Sequence, residues 1–246
     1  MNSTAIVALA ALVIFALLYA IARSRRRAAD RMQQMTAGMG FAPLHADAAL
    51  TAKIGGLYQI LGKTSNPYEL RQVYRRMVTG GEVYIFDLFD VSDGESSWQA
   101  TQSVAIISSQ LNLPHFVLSP KSDTGGWASR LADRTITWAV SRYGEQVSFT
   151  KYPELERRYV VSSTEPEHVR RFFAERLIRH LSETRYYAIH AKGDAFTFTD
   201  MGALTGPKHL KRDALRDRVE RAMNVFELFQ AIGYPAAVAD LDNPRR

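Results

Sequence analysis

The chain of 246 residues contains no cysteine and few prolines. The absence of cysteine excludes a disulfide framework, a zinc–thiolate site and a cysteine nucleophile. Hydrophobic residues make up 46% of the sequence and charged residues 23%, which excludes a disordered or low-complexity protein. The residues that follow the first 27 are numerous enough to form one domain, or two small ones, around a hydrophobic core.

One long hydrophobic run stands near the start of the chain, where the 18 residues from Ala5 to Ala22 carry no charge. A helix of that length spans about 27 Å, close to the roughly 30 Å hydrocarbon core of a bilayer. The run therefore predicts an N-terminal transmembrane helix. A cleaved signal peptide is the alternative, since Ala20 to Ala22 resemble a cleavage site, but the basic residues of a signal peptide precede its hydrophobic run.

A basic cluster follows the hydrophobic run and consists of Arg23, Arg25, Arg26 and Arg27. By the positive-inside rule these arginines stay in the cytoplasm. We therefore expect a single-pass protein of the plasma membrane, held by a signal-anchor, with its large domain in the cytoplasm. Four of the six net positive charges belong to this cluster, so the charge balance predicts contact with membrane lipids and not with nucleic acid.

The rest of the chain divides into a helical spacer over residues 28–56, a globular domain over residues 57–234 and a tail over residues 235–246. In the first part of the globular domain, segments rich in β-branched and aromatic residues predict an antiparallel β-meander. These strands are Leu57–Leu61, Tyr68–Val78, Glu82–Val91 and Ala100–Ser108, with a hairpin turn at Thr79, Gly80 and Gly81.

In the second part of the globular domain, the sequence pattern predicts elements in the order β-α-β-β-α. A strand at Tyr159–Val161 precedes a helix that Thr164 and Glu167 open as a capping box. A hairpin follows, with strands Tyr186–His190 and Ala195–Thr199, and then a long helix from about Lys208 to Ile232. This order indicates an α+β fold behind the N-terminal transmembrane helix.

An acidic cluster offers the one candidate for catalysis and contains Asp87, Asp90, Asp93 and Glu95. Paired carboxylates bind hard cations or act as general acid and base, so a metal-assisted hydrolase is one hypothesis. The alternative is a solvated strand face followed by a turn, since the spacing does not match a calcium loop. We assign no metal site and expect no cofactor.

The last predicted helix carries basic residues, which suggests a surface for anionic lipid or RNA. They are Lys208, Lys211, Arg212, Arg216, Arg218 and Arg221. Acidic residues alternate with them, which favours an ordinary solvated helix face.

Residues Leu111 to Pro120 follow the pattern L-N-L-P-x-F-x-L-x-P. With this pattern the chain resembles a broad group of uncharacterised bacterial membrane-anchored proteins, over residues 55–200. The resemblance implies a bacterial module at the inner membrane and implies no activity, cofactor or catalytic residue. Within the pattern, Pro114 and Pro120 bracket a short segment that is typical of an edge strand.

The leading functional hypothesis is a non-catalytic, membrane-tethered cytoplasmic module that binds a protein or acts as a scaffold. An exposed strand edge accepts a further strand through its free backbone groups. The candidate binding edge consists of His115, Phe116, Val117 and Leu118. The metal-assisted hydrolase and the lipid- or RNA-binding module stay as alternatives, and we lean against an enzyme.

Overall fold

The computed structural model describes residues 15, 19, 23–24, 26–27, 29–61, 68–90, 101–121, 140–184, 186–200 and 212–232. The chain separates into two compact units, Met1–Pro43 and Leu44–Arg246. In the first unit, residues 29–37 are helical and Ala42–Pro43 form the short strand β1. The buried hydroxyl of Thr36 donates to the carbonyl oxygen of Met32 at 2.9 Å, one helical turn earlier.

None of the helices in the described part of the chain is both long enough and apolar enough to cross a membrane. The longest of them, Arg212–Ile232, carries charged residues through its first half. On this finding the predicted transmembrane helix is wrong, and the single-pass, signal-anchor and inner-membrane predictions with a cytoplasmic domain are wrong with it. Of the predicted span, only Phe15 and Tyr19 belong to the described residues, and both are helical and exposed.

The predicted basic cluster is described in part. Arg23, Arg26 and Arg27 are helical and exposed, whereas Arg25 lies outside the described residues. The carbonyl oxygen of Arg27 accepts a hydrogen bond from Nε of Arg31 at 3.2 Å.

The second unit contains an antiparallel sheet in which eight strands follow the order β2-β3-β4-β9-β8-β5-β7-β6. The strands are β2 (Tyr68–Val78), β3 (Gly81–Asp90), β4 (Thr101–Ile107), β5 (Leu113–Pro120), β6 (Glu145–Gln146), β7 (Tyr159–Ser163), β8 (Tyr187–Gly193) and β9 (Ala195–Asp200). The predicted α+β fold is confirmed, as are both predicted hairpins. Their turns contain Gly80 and Gly193, which have φ values of 85° and 60°, a backbone region that glycine adopts without strain.

Five helices in the described part of the second unit accompany the sheet: α1 (Ala48–Leu57), α2 (Pro153–Arg158), α3 (Pro166–Phe172), α4 (Glu175–Glu183) and α5 (Arg212–Ile232). The strand predicted at Leu57–Leu61 is wrong, because α1 continues to Leu57. The capping box predicted at Thr164 is also wrong, since α3 has Glu165 as its N-cap without a side-chain hydrogen bond. Asp47 does cap α1, where its carboxylate accepts from the backbone N–H of Leu50 at 2.7 Å.

The helices cover the two faces of the sheet. Ile54 and Leu57 of α1 belong to a buried cluster with Phe86 of β3, on what we call the α1 face. Phe229 of α5 contacts the ring of Phe196 on the other face, the α5 face. Successive strand residues point to opposite faces, so the strand register assigns each side chain to one of them.

The candidate binding edge is not an edge. Strand β5 pairs with β7 on one side and with β8 on the other: Phe116 lies opposite Ser163 and Ala191, and Val117 lies opposite Ser162 and His190. The backbone groups of β5 are therefore used within the sheet and do not accept a further strand. Proline at both ends of a segment is compatible with an edge strand but does not determine the strand order.

Candidate functional site

The strand register brings one row of side chains together on the α1 face. Ala105 of β4 lies opposite Thr197, Thr197 lies opposite His190, His190 lies opposite Val117, and Val117 lies opposite Ser162. Directly opposed residues of antiparallel strands share a face, with Cβ atoms about 5 Å apart. Thr197 and His190 are therefore immediate neighbours above the middle of the sheet.

His190 lies between two tyrosine rings. Its ring centroid is 4.3 Å from that of Tyr58 and 5.3 Å from that of Tyr143, which meets it edge-on at 83°. The segments that carry the tyrosines are joined by a hydrogen bond from the backbone N–H of Leu61 to the carbonyl oxygen of Arg142, at 2.9 Å. The end of α1 and the turn after residue 140 thus hold the imidazole from two sides.

The protonation of His190 follows from its surroundings. Its Nδ1 lies 3.2 Å from the carbonyl oxygen of Leu57, and since a carbonyl oxygen only accepts, Nδ1 is the donor. Burial lowers the pKa of His190 from 6.5 to about 4, with a smaller raising effect from the Leu57 carbonyl and a further lowering effect from His115. At neutral pH the imidazole is therefore uncharged and its Nε2 carries a lone pair.

The residues of this row and its neighbours differ in exposure. Thr197 is 1% exposed and Tyr58 is 7% exposed, whereas His190, Tyr143 and Ala188 each keep an intermediate exposure. Part of the surface of His190 therefore stays accessible beside two buried side chains.

Several buried polar atoms of the α1 face make no hydrogen bond among the described residues. They are the hydroxyl of Tyr58, Oγ1 of Thr197, Oγ of Ser162 and Nε2 of His115. Burial raises the pKa of Tyr58 above 10.0, although the nearby hydroxyls of Thr197, Ser103 and Thr199 lower it to a smaller extent. Ser103 and Thr199 satisfy each other, with hydroxyl oxygens 2.7 Å apart.

We call the group formed by Tyr58, Tyr143, His190 and Thr197 the tyrosine–histidine site. Ser162 is excluded from it, because Val117 and Val140 pack together between Ser162 and His190. Asp194, at the second hairpin, pairs with Lys53 at 2.6 Å. The site therefore contains two phenols, a neutral imidazole and an alcohol.

The residues of the former candidate binding edge divide between the two faces. His115 is on the α1 face, where its Nδ1 lies 3.0 Å from the hydroxyl of Thr164. Burial lowers the pKa of His115, and the charge of Lys192 lowers it further. Phe116 is on the α5 face and contacts the rings of Phe172, Phe173 and Phe229, while Val117 and Leu118 are buried.

The predicted acidic cluster is described only in part. Asp87 of β3 is half-buried, and burial raises its pKa from 3.8 to about 6, although a hydrogen bond with Gln102 and the charge of Arg218 each lower it. Asp90 ends β3, whereas Asp93 and Glu95 lie outside the described residues. Among the described residues, no group of three or more His, Asp or Glu side chains is arranged to hold a metal ion.

Arg218 does not belong to an exposed basic face. It is 1% exposed, and its Nη1 donates to the carbonyl oxygen of Gln102 at 3.1 Å and to the side-chain Oε1 of Gln102 at 3.2 Å. Arg216 is exposed, and Arg221 pairs with Asp217 at 2.8 Å. Arg212 begins α5, and Lys208 and Lys211 lie outside the described residues.

Comparison with protein-family models, with curated proteins and with solved structures finds no match to this chain.

Sequence reasoning did not identify the tyrosine–histidine site, and it placed His190 only at the end of a predicted strand. Tyr58 was placed in a predicted strand, and Thr197 is one of several threonines in a hairpin strand. The alternation Phe196, Thr197, Phe198 was the available signal, because a strand with aromatics on one face directs its polar residues to the other. No local pattern identifies the partner of such a polar position across the sheet.

Proposed function

We propose that the chain is a non-catalytic binding module that holds a small molecule at the tyrosine–histidine site. One observation carries the proposal: the neutral imidazole of His190 keeps accessible surface between the rings of Tyr58 and Tyr143. Its Nδ1 is paired with the carbonyl oxygen of Leu57. Its Nε2 is therefore the acceptor for a bound molecule that carries an N–H or O–H group.

The experiment is an NMR titration of the full ¹⁵N-labelled chain with small probes, namely phenol, benzamide, benzoate and benzylamine. We expect at least one probe to shift the backbone amides of Tyr58, His190 and Thr197, which belong to three different elements. Shifts confined to other parts of the chain, or no saturable shift with any probe, would contradict the proposal.

A metal-assisted hydrolase remains a second candidate, favoured by the pKa of about 6 at Asp87. A carboxyl group with such a pKa exchanges protons near neutral pH, as general acid–base catalysis requires. Titration with Mg²⁺, Mn²⁺ and Zn²⁺ tests this candidate. Binding that is lost in Asp87→Ala would favour it, and unchanged binding in that variant would exclude Asp87 as a ligand.

A protein partner, the leading hypothesis from the sequence, stays a prediction without an assigned surface. Crosslinking of the full chain in its native cells tests it. A defined crosslinked species that persists when the tyrosine–histidine site is altered by Tyr58→Phe would support a separate protein-binding surface.

A further inference from the structure

We infer that two segments beside His190, residues 58–61 and the turn at residues 141–143, form an acid-sensitive clasp that opens when His190 gains a proton. The backbone N–H of Leu61 joins the segments through a hydrogen bond to the carbonyl oxygen of Arg142, at 2.9 Å. The inference concerns the chain itself and holds whether or not a molecule binds at His190. It follows from the surroundings of the imidazole, the charges around it and the exposure of the clasp.

The clasp surrounds an imidazole that is neutral. The ring centroids of Tyr58 and Tyr143 lie 4.3 Å and 5.3 Å from that of His190, and Nδ1 of His190 donates to the carbonyl oxygen of Leu57. A second proton would place a positive charge between the two tyrosine rings. A charged group loses hydration on burial, so the closed clasp favours the neutral imidazole.

The basic groups around His190 oppose its protonation further. His115 of β5 shares the α1 face and, after burial, is the next influence that lowers the pKa of His190. Lys192 follows His190 by two residues on β8 and so shares its face. Burial lowers the pKa of His115, and Lys192 lowers it further. The turn carries one more cation, Arg142, next to Tyr143 in the sequence.

The nearby carboxylates are engaged with other cations. Asp194 of the second hairpin pairs with Lys53 of α1 at 2.6 Å. Glu165 raises the pKa of His115 to a small extent, but its carboxylate lies 3.1 Å from Nδ1 of His168. Among the described residues, no carboxylate is an influence on the pKa of His190. A proton on His190 is therefore not balanced by a negative charge while the clasp is closed.

The clasp can open without disturbing the core beneath it. Leu61 is 53% exposed, and Arg142 and Tyr143 keep an intermediate exposure. Leu57, by contrast, is 3% exposed and belongs to the buried cluster of the α1 face. Movement of the turn away from residues 58–61 would hydrate the imidazole and leave that cluster in place.

The direction of the pH dependence follows from the two states. The pKa of His190 is about 4 in the closed state and at most about 6.5 when the imidazole is hydrated. The closed state binds fewer protons, so its advantage is complete above pH 6.5 and is lost as the pH falls toward 4. Between pH 7 and pH 5 the ratio of closed to open chains should fall by up to about twentyfold.

The test is the hydrogen-exchange protection of the Leu61 amide in the full chain, measured by NMR at pH 7 and pH 5 and corrected for the intrinsic exchange rate. We expect this protection to fall about five- to twentyfold. The reference amides are those of Lys121 and Leu44, which donate to the carbonyl oxygens of Arg158 and Val73, each at 2.8 Å. Their protection should change by less than about twofold. An equal fall at all three amides would show general unfolding and overturn the inference.

Three histidine variants identify the group responsible. His190→Gln should remove the fall in Leu61 protection, and His115→Gln should reduce it, because His115 lowers the pKa of His190. The matched control is His180→Gln, which alters a histidine of α4 whose pKa burial also lowers, and it should leave the fall unchanged. A fall that persists in His190→Gln overturns the inference. So does constant Leu61 protection in the unaltered chain, a result that requires no variant to fold.

Discussion

The imidazole of His190 packs on the ring of Tyr58, with the two ring centroids 4.3 Å apart. The contact depends on the end of α1, since the helix presents the carbonyl of Leu57 to Nδ1 of the same imidazole. One helix terminus therefore fixes both the position and the tautomer of a histidine that comes from the middle of the sheet. The result is a partly exposed neutral imidazole beside a buried phenol.

The first prediction concerns the stability of Tyr58→Phe. Removal of a buried hydroxyl that lacks a partner should leave the free energy of unfolding unchanged or raise it by up to about 1 kcal/mol. Ser103→Ala is the contrasting variant, because it deprives the buried hydroxyl of Thr199 of its partner at 2.7 Å, and we expect it to cost about 1–3 kcal/mol. Urea denaturation measures both. The net contribution of one hydrogen bond is at most about 1.5 kcal/mol. A larger loss of stability in Tyr58→Phe would therefore contradict the view that the hydroxyl makes no hydrogen bond.

The second prediction concerns Asp87 and pH. The pKa of Asp87 is about 6 in the folded chain and about 3.9 in an unfolded one. Because the folded pKa is the higher, the folded state loses stability as the pH rises through this range. Asp87→Asn should therefore be about 1–2 kcal/mol more stable than the unaltered chain at pH 7, with most of this difference gone at pH 4. A difference that does not change with pH would contradict the account of Asp87.

The third prediction concerns His190, whose effect on stability has the opposite dependence on pH. Its pKa is about 4 in the folded chain and about 6.5 in an unfolded one. The stability that depends on its neutral form is complete above pH 6.5 and is lost as the pH falls toward 4. His190→Gln should remove this loss, which amounts to about 3 kcal/mol at pH 4. If its stability fell with pH as steeply as that of the unaltered chain, His190 would not be the group responsible.

The fourth prediction concerns Arg218. Its replacement by methionine removes the cation that lowers the pKa of Asp87 and the donor to Gln102. We expect the pKa of Asp87 to rise above its present value and the chain to lose about 1–3 kcal/mol at pH 7. Arg216→Met, on the exposed side of the same helix, should change stability by less than about 0.5 kcal/mol. NMR titration of the Asp87 carboxyl carbon and urea denaturation provide the two readouts.

The fifth prediction concerns the irregularity in β2. Gln72 has a φ of 50°, and the register of β2 against β3 shifts between Arg71 and Tyr74. A side chain in this left-handed region costs about 1 kcal/mol, and glycine avoids that cost. Gln72→Gly should therefore raise the free energy of unfolding by about 0.5–1 kcal/mol, whereas Gln72→Val should lower it. Thermal unfolding of the two variants should therefore show that Gln72→Gly is more stable than Gln72→Val.

The local elements were the most predictable part of the fold. The turn at Gly80 and the turn at Gly193 carry glycine where the backbone requires a positive φ, so composition alone indicated both hairpins. The apolar periodicity of α5 likewise predicted a helix that ends at Ile232. The same periodicity contained a further clue, because Arg218 follows the buried Leu215 by three residues and therefore shares its face of the helix.

The arrangement of those elements was not predictable from local patterns. The segment His115 to Leu118 has the composition of an edge strand, but its neighbours β7 and β8 come from distant parts of the chain. The tyrosine–histidine site depends on the same long-range pairing, since Tyr58, Tyr143 and His190 meet only after the sheet and α1 have assembled. The membrane helix was predicted from the hydrophobicity of one long uncharged run. None of the helices among the described residues is long and apolar enough to match that prediction.

The most direct test of the central claim is ¹⁵N NMR of the histidine side chains of the full chain during addition of benzamide at pH 7. Without benzamide, the account predicts one neutral imidazole with its proton on Nδ1, assigned to His190 by its absence in His190→Gln. With benzamide, the Nε2 resonance of that ring should move upfield, as for an acceptor that gains a donor. A proton on Nε2 in the free chain, or an Nε2 resonance that ignores benzamide, would contradict the account.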